Sequence, residues 1–511
     1  MPIDSITTSR TYLSQQLVGL NRTMDEKTTQ LATGKVAPTF GGVGDNRILD
    51  LELTQRVDRI SSFEQTIVSA NLHINTMDVT LDRLENIRID SKSALDPNSF
   101  DLQNNGKTRT QATAELLLFE TVNLLNSEVA GYFLYGGTDA TSNPVQAVEA
   151  ILNGSDGLSG LSDVIDEYIQ ANLGANNNGR LDVSALVTNF AGAVPTDSTF
   201  TISEDGIHDF GFDIASVAST LSNTTITGPG GGDPDSFDIQ LTGQPVLGET
   251  IDISFTLPPT NTETYTLSLT AATSDAVEGT FAIGADLEET ATNLRAKIIS
   301  ELETEAQTSL KAIAADWAAD EFFDTFNGAE PQRIDGPPYD TATARVAGGS
   351  TTLSWYTGEN STTTNPRNDK SAIIDTNLTV NYGARANEQG LADLVKSLAT
   401  FVSADFSAGA SIDEQYHQAL TTKMRSVLEP DTATQSGIAD IATEVAIVQR
   451  TVKQTNDRHL QMKSTYQTTI DEIEGVDNEV LAVEILQLQT NIEASYRATS
   501  LVLNLNLADF L

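Results

Sequence analysis

The chain has 511 residues and a formal net charge of −42, from 71 acidic and 29 basic side chains. This length permits several domains, and the charge argues against nucleic acid or an anionic membrane surface as partner, because both attract clustered Lys and Arg. The absence of cysteine excludes disulfides, thiol nucleophiles and cysteine-ligated metals.

The first predicted element is a helix over residues 12–31. Its apolar residues recur in steps of three and four, with Lys27 at the one remaining position of the stripe. The segment "TGKVAPTFGGVGDN" (33–46) then predicts a break, because it is rich in Gly and Pro. A heptad pattern from Leu53 to Leu84 predicts a second helix over about 46–94, on the order of 75 Å long.

A turn at 96–106 and a third helix follow. Leu118, Val122, Leu125 and Val129 share one face of that helix. The sequence "GYFLYGGTDATSNPV" (131–145) predicts a short strand and a turn.

The middle of the chain has a different pattern. Residues 235–259 and 263–273 alternate apolar and polar side chains, as half-buried strands do. The pattern over 285–324 predicts helix, and residues 334–383 form a Gly- and Thr-rich region of predicted strands. Two shorter helices are predicted at 388–403 and 412–428.

The C-terminal part again predicts helices. A heptad pattern covers 438–474, "EGVDNE" (474–479) is a weak break, and a last helix is predicted over 480–511. The closing "LVLNLNL" alternates like a strand, but we interpret it as helix because it continues a helix without Gly or Pro.

These elements predict a mainly α fold with an α+β insertion. Both chain ends would form a long antiparallel helical rod, a coiled coil, with a β-rich variable domain in the middle. The predicted domains are a terminal helical domain (1–45 with 475–511), a helical rod domain (46–145 with 380–474) and a variable insertion (146–379).

No motif indicates an enzyme, a cofactor or a metal site. None of His73, His208, His417 and His459 has a metal-ligand spacing, and a packing role is the favoured interpretation of His459. Asp233, Asp235 and Asp238 lie in a Gly-rich segment that faintly suggests calcium, but the closing glutamate of a calcium loop is missing. A solvated loop is the favoured interpretation, and the cation question stays open.

The outermost apolar stripes are the candidate functional feature. Stripes left unfilled near both ends are what polymerisation by coiled-coil contact needs. The candidate assembly interface consists of Leu13, Leu17, Leu20, Met24, Leu31, Leu481, Ile485, Leu488, Ile492, Val502, Leu503, Leu505, Leu507 and Leu511.

Four stretches resemble the bacterial flagellin family, and in particular its hook–filament junction branch. They are "LATGKVAPTFGGVGDNRILDLELTQRVDRI" (31–60), "EVAGYFLYGGTDATSNPV" (128–145), "VNYGARANEQGLADLVKSLATF" (380–401) and "LQLQTNIEASYRATSLVLNLNLADFL" (486–511). The resemblance covers roughly the first 145 and the last 130 residues, and the middle carries little of it.

The resemblance implies an extracellular axial component of the flagellum. Its partners would be copies of itself, hook-associated proteins and flagellin, and an export chaperone would cover the C-terminal helix. We also expect secretion without a cleaved signal peptide, because "MPIDSITTSRTYLSQQ" lacks a basic segment followed by an apolar core. A main filament subunit, an extracellular coiled-coil fibre or adhesin, and an enzyme hidden in the insertion remain as alternatives, the last being least favoured.

Overall fold

A computed structural model describes residues 3–104, 106–326, 328–360, 365–407, 410–429 and 437–508, and the side chains of 3–10, 410 and 502–508 lie outside this description. The chain divides into two compact units. Unit 1 comprises Met1–Asn71, Ala372–Val380 and Gln449–Leu511, and unit 2 comprises Leu72–Ser371 and Asn381–Val448.

Helices make up 52% of the structure. They are α1 (Ile3–Thr33), α2 (Arg47–Ala94), α3 (Arg109–Leu125), α4 (Val148–Asn153), α5 (Leu161–Leu173), α6 (Leu287–Glu305), α7 (Lys311–Phe323), α8 (Gln389–Ser403), α9 (Ala410–Val427), α10 (Ile438–Glu474) and α11 (Asn478–Ala508). A π-helical segment, Ala306–Leu310, joins α6 to α7. The predicted helices at 46–94, 388–403, 412–428 and 438–474 are confirmed to within a few residues, and "LVLNLNL" is helical as predicted.

The strands are concentrated in unit 2. They are β1 (Glu128–Val129), β2 (Tyr132–Phe133), β3 (Leu181–Val183), β4 (Val187–Ala191), β5 (Val194–Glu204), β6 (Asp213–Ser219), β7 (Thr224–Thr227), β8 (Ser236–Leu241), β9 (Thr250–Leu257), β10 (Glu263–Ala272), β11 (Thr280–Ala282), β12 (Gln332–Ile334), β13 (Arg345–Ala347), β14 (Ser371–Asp375) and β15 (Leu378–Asn381). The predicted half-buried strands over 235–259 and 263–273 are confirmed as β8, β9 and β10.

Two sheets and a helix enclose the main apolar core of unit 2. One sheet has the order β3-β5-β8-β7, with β4 also paired to β5, and the other has the order β11-β10-β9-β6. Every second residue of β9 is buried, which places Ile251, Ile253 and Phe255 in the core. The buried face of α6, including Leu294 and Ile298, joins the same cluster.

Unit 2 also has a helical part, in which the start of α3 is capped by hydrogen bonds. Thr108 Oγ1 accepts a hydrogen bond from the Gln111 backbone N–H at 3.0 Å, and Gln111 Oε1 accepts one from the Thr108 N–H at 2.8 Å. This reciprocal pair satisfies two backbone donors at the start of α3 and explains why the helix begins at Arg109. Gln111 Nε2 also donates to the Ala404 carbonyl at 2.8 Å, which ties α3 to the end of α8.

The predicted fold class is wrong in its main feature. The N-terminal helix and the C-terminal helices do not pair as a terminal rod, whereas the middle of the chain holds several β-sheets, in line with the predicted β-rich insertion. Within unit 2, Arg83 of α2 pairs with Glu120 of α3, and Arg88 Nη1 donates to the Leu428 carbonyl at 2.7 Å. A heptad stripe reports which face of a helix is buried, but not which element covers it.

A smaller correction concerns the third helix. The prediction extended its apolar face to Val129, but α3 ends at Leu125, and Glu128 and Val129 form β1. β1 pairs with β2 through a two-residue turn in which Ala130 and Gly131 have φ of +54° and +81°. Positive φ at both turn residues matches the twist of a tight hairpin, so the "AG" pair supports a turn here and not a continued helix.

Candidate assembly interface

Two helix breaks meet in unit 1. The Val36 N–H donates to the Glu474 carbonyl at 2.6 Å, and the Val476 N–H donates to the Gly34 carbonyl at 3.1 Å. Gly34 has a φ of +66°, which a glycine adopts without strain, so the chain can turn out of α1 at this point. The predicted breaks at 33–46 and 474–479 therefore join as one clasp, which lies between the end of α1 and the start of α11.

Charged side chains reinforce this clasp. Lys35 Nζ lies 2.5 Å from Glu474 Oε2, and the hydrogen bond and negative charge of Glu474 raise the pKa of Lys35. The charges of Lys35 and Glu474 both act on the nearby carboxylate of Asp50. Its carboxylate is buried without a hydrogen-bond partner among the described residues, and burial, followed by the charge of Glu474, raises the pKa of Asp50.

Beyond the clasp, α1 lies against α11 within unit 1. Lys27, the polar residue on the predicted α1 stripe, places its Nζ 2.7 Å from Glu484 Oε2 of α11. The two helices therefore touch without forming the predicted terminal rod, and most of their stripe positions stay only half-buried.

The fourteen residues of the candidate interface fall into four groups. Leu481 is buried, and Leu31 is exposed. The half-buried members are Leu13, Leu17, Leu20, Met24, Ile485, Leu488 and Ile492. Val502, Leu503, Leu505, Leu507 and Leu511 lie outside the described side chains.

Sequence reasoning missed a second set of apolar residues in unit 1, which do not lie on the predicted stripes. These side chains are between 40% and 75% exposed: Tyr12, Val18, Phe40, Ile48, Leu49, Leu51, Val480, Val483, Leu486, Tyr496 and Leu501. Isolated exposed apolar residues are normal, whereas contiguous exposed apolar patches mark interaction surfaces, so these residues are candidates for such a surface. Their apolar character was visible in the sequence, whereas their exposure depends on how α1, α2 and α11 are covered.

The two units differ in charge. Unit 1 carries 18 acidic and 12 basic side chains, whereas unit 2 carries 53 acidic and 17 basic side chains. Most of the net negative charge of the chain therefore belongs to unit 2. Copies can approach through unit 1 with much less electrostatic repulsion than through unit 2.

The aspartates of the Gly-rich segment do not converge on a common point. Asp235 Oδ2 accepts the Gly231 N–H at 2.7 Å and its Oδ1 accepts the Ser236 N–H at 2.7 Å. Burial acts to raise the pKa of Asp235, but these backbone donors outweigh it and lower the pKa. Asp238 accepts a hydrogen bond from the Thr201 hydroxyl at 2.6 Å, and Asp233 is exposed. No group of three metal-binding side chains occurs among the described residues.

The predicted packing role of His459 is confirmed. Its ring is buried and stacks on Phe63 at a centroid distance of 5.8 Å, within unit 1. His417 is also buried, in unit 2, where the rings of Phe100, Phe401 and Phe406 surround it at 5.5 to 5.6 Å. His417 therefore fills an aromatic cluster, and His459 stacks on a single phenylalanine ring.

No model of a known protein family matches the chain, and no curated protein matches it. Among the helices in the described part of the chain, none combines the length and apolarity needed to cross a membrane.

Proposed function

We propose that the chain is a self-assembling structural component of the bacterial flagellum, an extracellular axial protein that joins the hook to the filament. Its partners are copies of itself, other hook-associated proteins and flagellin, and an export chaperone covers α11 before assembly. The resemblance of residues 31–60, 128–145, 380–401 and 486–511 to the junction branch of the flagellin family supports this assignment.

The density of exposed apolar side chains on the helices of unit 1 carries the proposal. Val480, Val483 and Leu486 are each more than half exposed along two turns of α11, and Leu501 is 63% exposed further along the same helix. Fully burying an exposed Val or Leu side chain stabilises a contact by about 1.5–3 kcal/mol, and each of these partly covered side chains would contribute a part of that. A protein that works as an isolated monomer gains nothing from this surface, whereas a subunit of an assembly buries it against its neighbours.

The charge distribution supports the same conclusion. Polymerisation brings many copies with a formal charge of −42 together, and self-repulsion opposes it. Because unit 1 holds only a small part of that charge, contacts through its helices avoid most of the repulsion. The contact is therefore expected to strengthen only modestly with added salt.

Paired substitutions on α11 test the proposal. We expect Val483→Ser combined with Leu486→Ser to reduce filament attachment strongly in cells, since it removes exposed apolar area and leaves the buried Leu481 in place. The matched control is Gln487→Ser combined with Gln489→Ser, because both glutamines are exposed on the same helix. Normal filament attachment in both double variants would contradict the proposal.

Deletion of residues 490–511 provides a second test. We expect the shortened chain to be secreted less or to lose attachment of the filament, while unit 2 still folds. Bare hooks with no filament would favour a main filament subunit, and unaffected flagella with lost adhesion would favour an extracellular fibre or adhesin.

A further inference from the structure

A cleft in unit 2 has features of a ligand site that the proposed assembly role does not explain. It has a volume of about 410 Å³ and lies between the end of α7 and the start of α8. The residues that matter for its chemistry are Asp324, Phe326, Asn387, Asp393 and Lys396.

The acidic side chains that line the cleft outnumber its basic side chains. Lys396 Nζ lies 2.8 Å from Asp316 Oδ1 and also pairs with Asp320, so its positive charge is already neutralised. Glu321, which also lines the cleft, pairs with Arg345 at 2.8 Å.

Two carboxylates of the cleft remain without an ion pair among the described residues, namely Asp324 and Asp393. Asp393 Oδ1 accepts a hydrogen bond from Gln389 Nε2 at 2.8 Å. Burial raises the pKa of Asp393 to about 6, even though the charge of Lys396 acts to lower it. A cation bound beside this carboxylate would stabilise its ionised form and lower its pKa.

A buried amide provides an independent sign of a missing partner. Asn387 is 1% exposed and lines the cleft, yet its Oδ1 has no hydrogen-bond partner among the described residues. Among the described residues, its Nδ2 makes two long contacts, of 3.3 Å to Asn360 Oδ1 and 3.4 Å to Thr325 Oγ1. A buried acceptor left unpaired costs about 1–3 kcal/mol, so an N–H donor from a ligand would be stabilising here.

The aromatic residues of the cleft favour an organic cation over a metal ion as its ligand. Phe323 and Phe326 line the cleft, and an aromatic face attracts an ammonium group. The described part of the chain has no group of three metal-binding side chains, so the carboxylates of the cleft do not form a coordination shell.

We propose that this cleft binds a primary ammonium group, with Asp324 and Asp393 as counter-charges and Asn387 Oδ1 as a hydrogen-bond acceptor. The same chemistry is offered by a small polyamine and by a lysine side chain of a partner protein. The proposal is independent of the assembly role, because it concerns unit 2 alone.

Isothermal titration of the full chain with 1,4-diaminobutane tests the proposal. A chain with a charge of −42 attracts any cation, so each titration is matched by sodium chloride of equal ionic strength and by uncharged 1,4-butanediol. We expect saturable binding of one diamine per chain, little response to the diol, and an affinity at least tenfold lower in Asp324→Asn combined with Asp393→Asn.

The matched control is Asp209→Asn combined with Asp275→Asn, two exposed aspartates of unit 2 that do not line the cleft. It changes the net charge by the same amount and is expected to bind like the natural chain. Equal affinity in the two double variants, or no saturable binding in the natural chain, would overturn the proposal.

Two further measurements complete the test. Phe326→Leu keeps an apolar side chain but removes the aromatic face, and we expect it to weaken diamine binding several-fold; unchanged affinity would exclude the aromatic contact. Titration with Nα-acetyl-lysine methylamide separates the two sources of the ammonium group. Affinity equal to that of the diamine supports a partner's lysine, and binding of the diamine alone supports a polyamine.

Discussion

Lys35 Nζ lies 2.5 Å from Glu474 Oε2, beside a pair of backbone hydrogen bonds that join the segment after α1 to the segment before α11. Residues 439 positions apart in the chain are thereby held together. This clasp sets the positions from which both outer helices of unit 1 extend.

The ion pair of the clasp is expected to contribute modestly to stability. The Lys35 side chain is 54% exposed, so solvent screens the interaction, and pairs of this kind contribute about 0.2–1 kcal/mol. A double-mutant cycle with Lys35→Ala and Glu474→Ala, followed by urea unfolding, measures this coupling. A coupling free energy near zero would mean that the backbone hydrogen bonds alone hold the clasp.

Asp50 is expected to make the stability of unit 1 depend on pH. Burial and the charge of Glu474 raise the pKa of Asp50 above its unfolded value, so folding is opposed by its ionisation. The free energy of unfolding should therefore fall as pH rises above the unfolded pKa of about 3.8. We expect Asp50→Asn to stabilise the protein at pH 7 and to lose this advantage below pH 4. An Asn variant that is less stable at both pH values would contradict this.

The opposite dependence is expected for His417. Its burial among three phenylalanine rings lowers its pKa, so the folded protein binds a proton less readily than the unfolded chain. Its contribution is complete above the unfolded pKa of about 6.5 and is lost as pH falls through the lowered folded pKa. We expect His417→Gln to reduce the loss of stability between pH 7 and pH 5, as measured by urea unfolding. Parallel pH profiles of the variant and the natural chain would contradict the assignment.

The sequence predicted helices and strands well because their burial patterns are local. Every second residue of β9 enters a core, and Leu81 and Leu84 of α2 are fully buried as the heptad pattern indicated. The prediction of a terminal rod was wrong because a heptad pattern does not identify which element covers the buried face of a helix. Thr80 of α2, for example, has its hydroxyl 2.5 Å from that of Tyr135.

The candidate assembly interface could likewise be predicted only in part from the sequence. A stripe of leucines identified α1 and α11 as amphipathic, but the exposure of Val483 and Leu486 depends on the neighbours of those residues in the fold. The clasp could not be predicted, because it joins residues distant in sequence. Likewise, nothing in the spacing of Asp324 and Asp393 shows that both line one cleft.

The apolar core enclosed by the two sheets and α6 of unit 2 is expected to be a main source of its stability. Phe255 is fully buried between the two sheets, and Phe255→Ala should reduce the free energy of unfolding by about 3–5 kcal/mol. The control is Val277→Ala, since Val277 is 66% exposed and its truncation should cost less than about 0.5 kcal/mol. Equal losses in thermal or urea unfolding would contradict the assigned core.

Electron microscopy of flagella from cells in which this gene is deleted tests the central claim most directly. If the chain joins hook to filament, the hooks will be intact and the filament protein will be made but shed into the medium. Normal filaments and normal motility in the deletion strain would contradict the account.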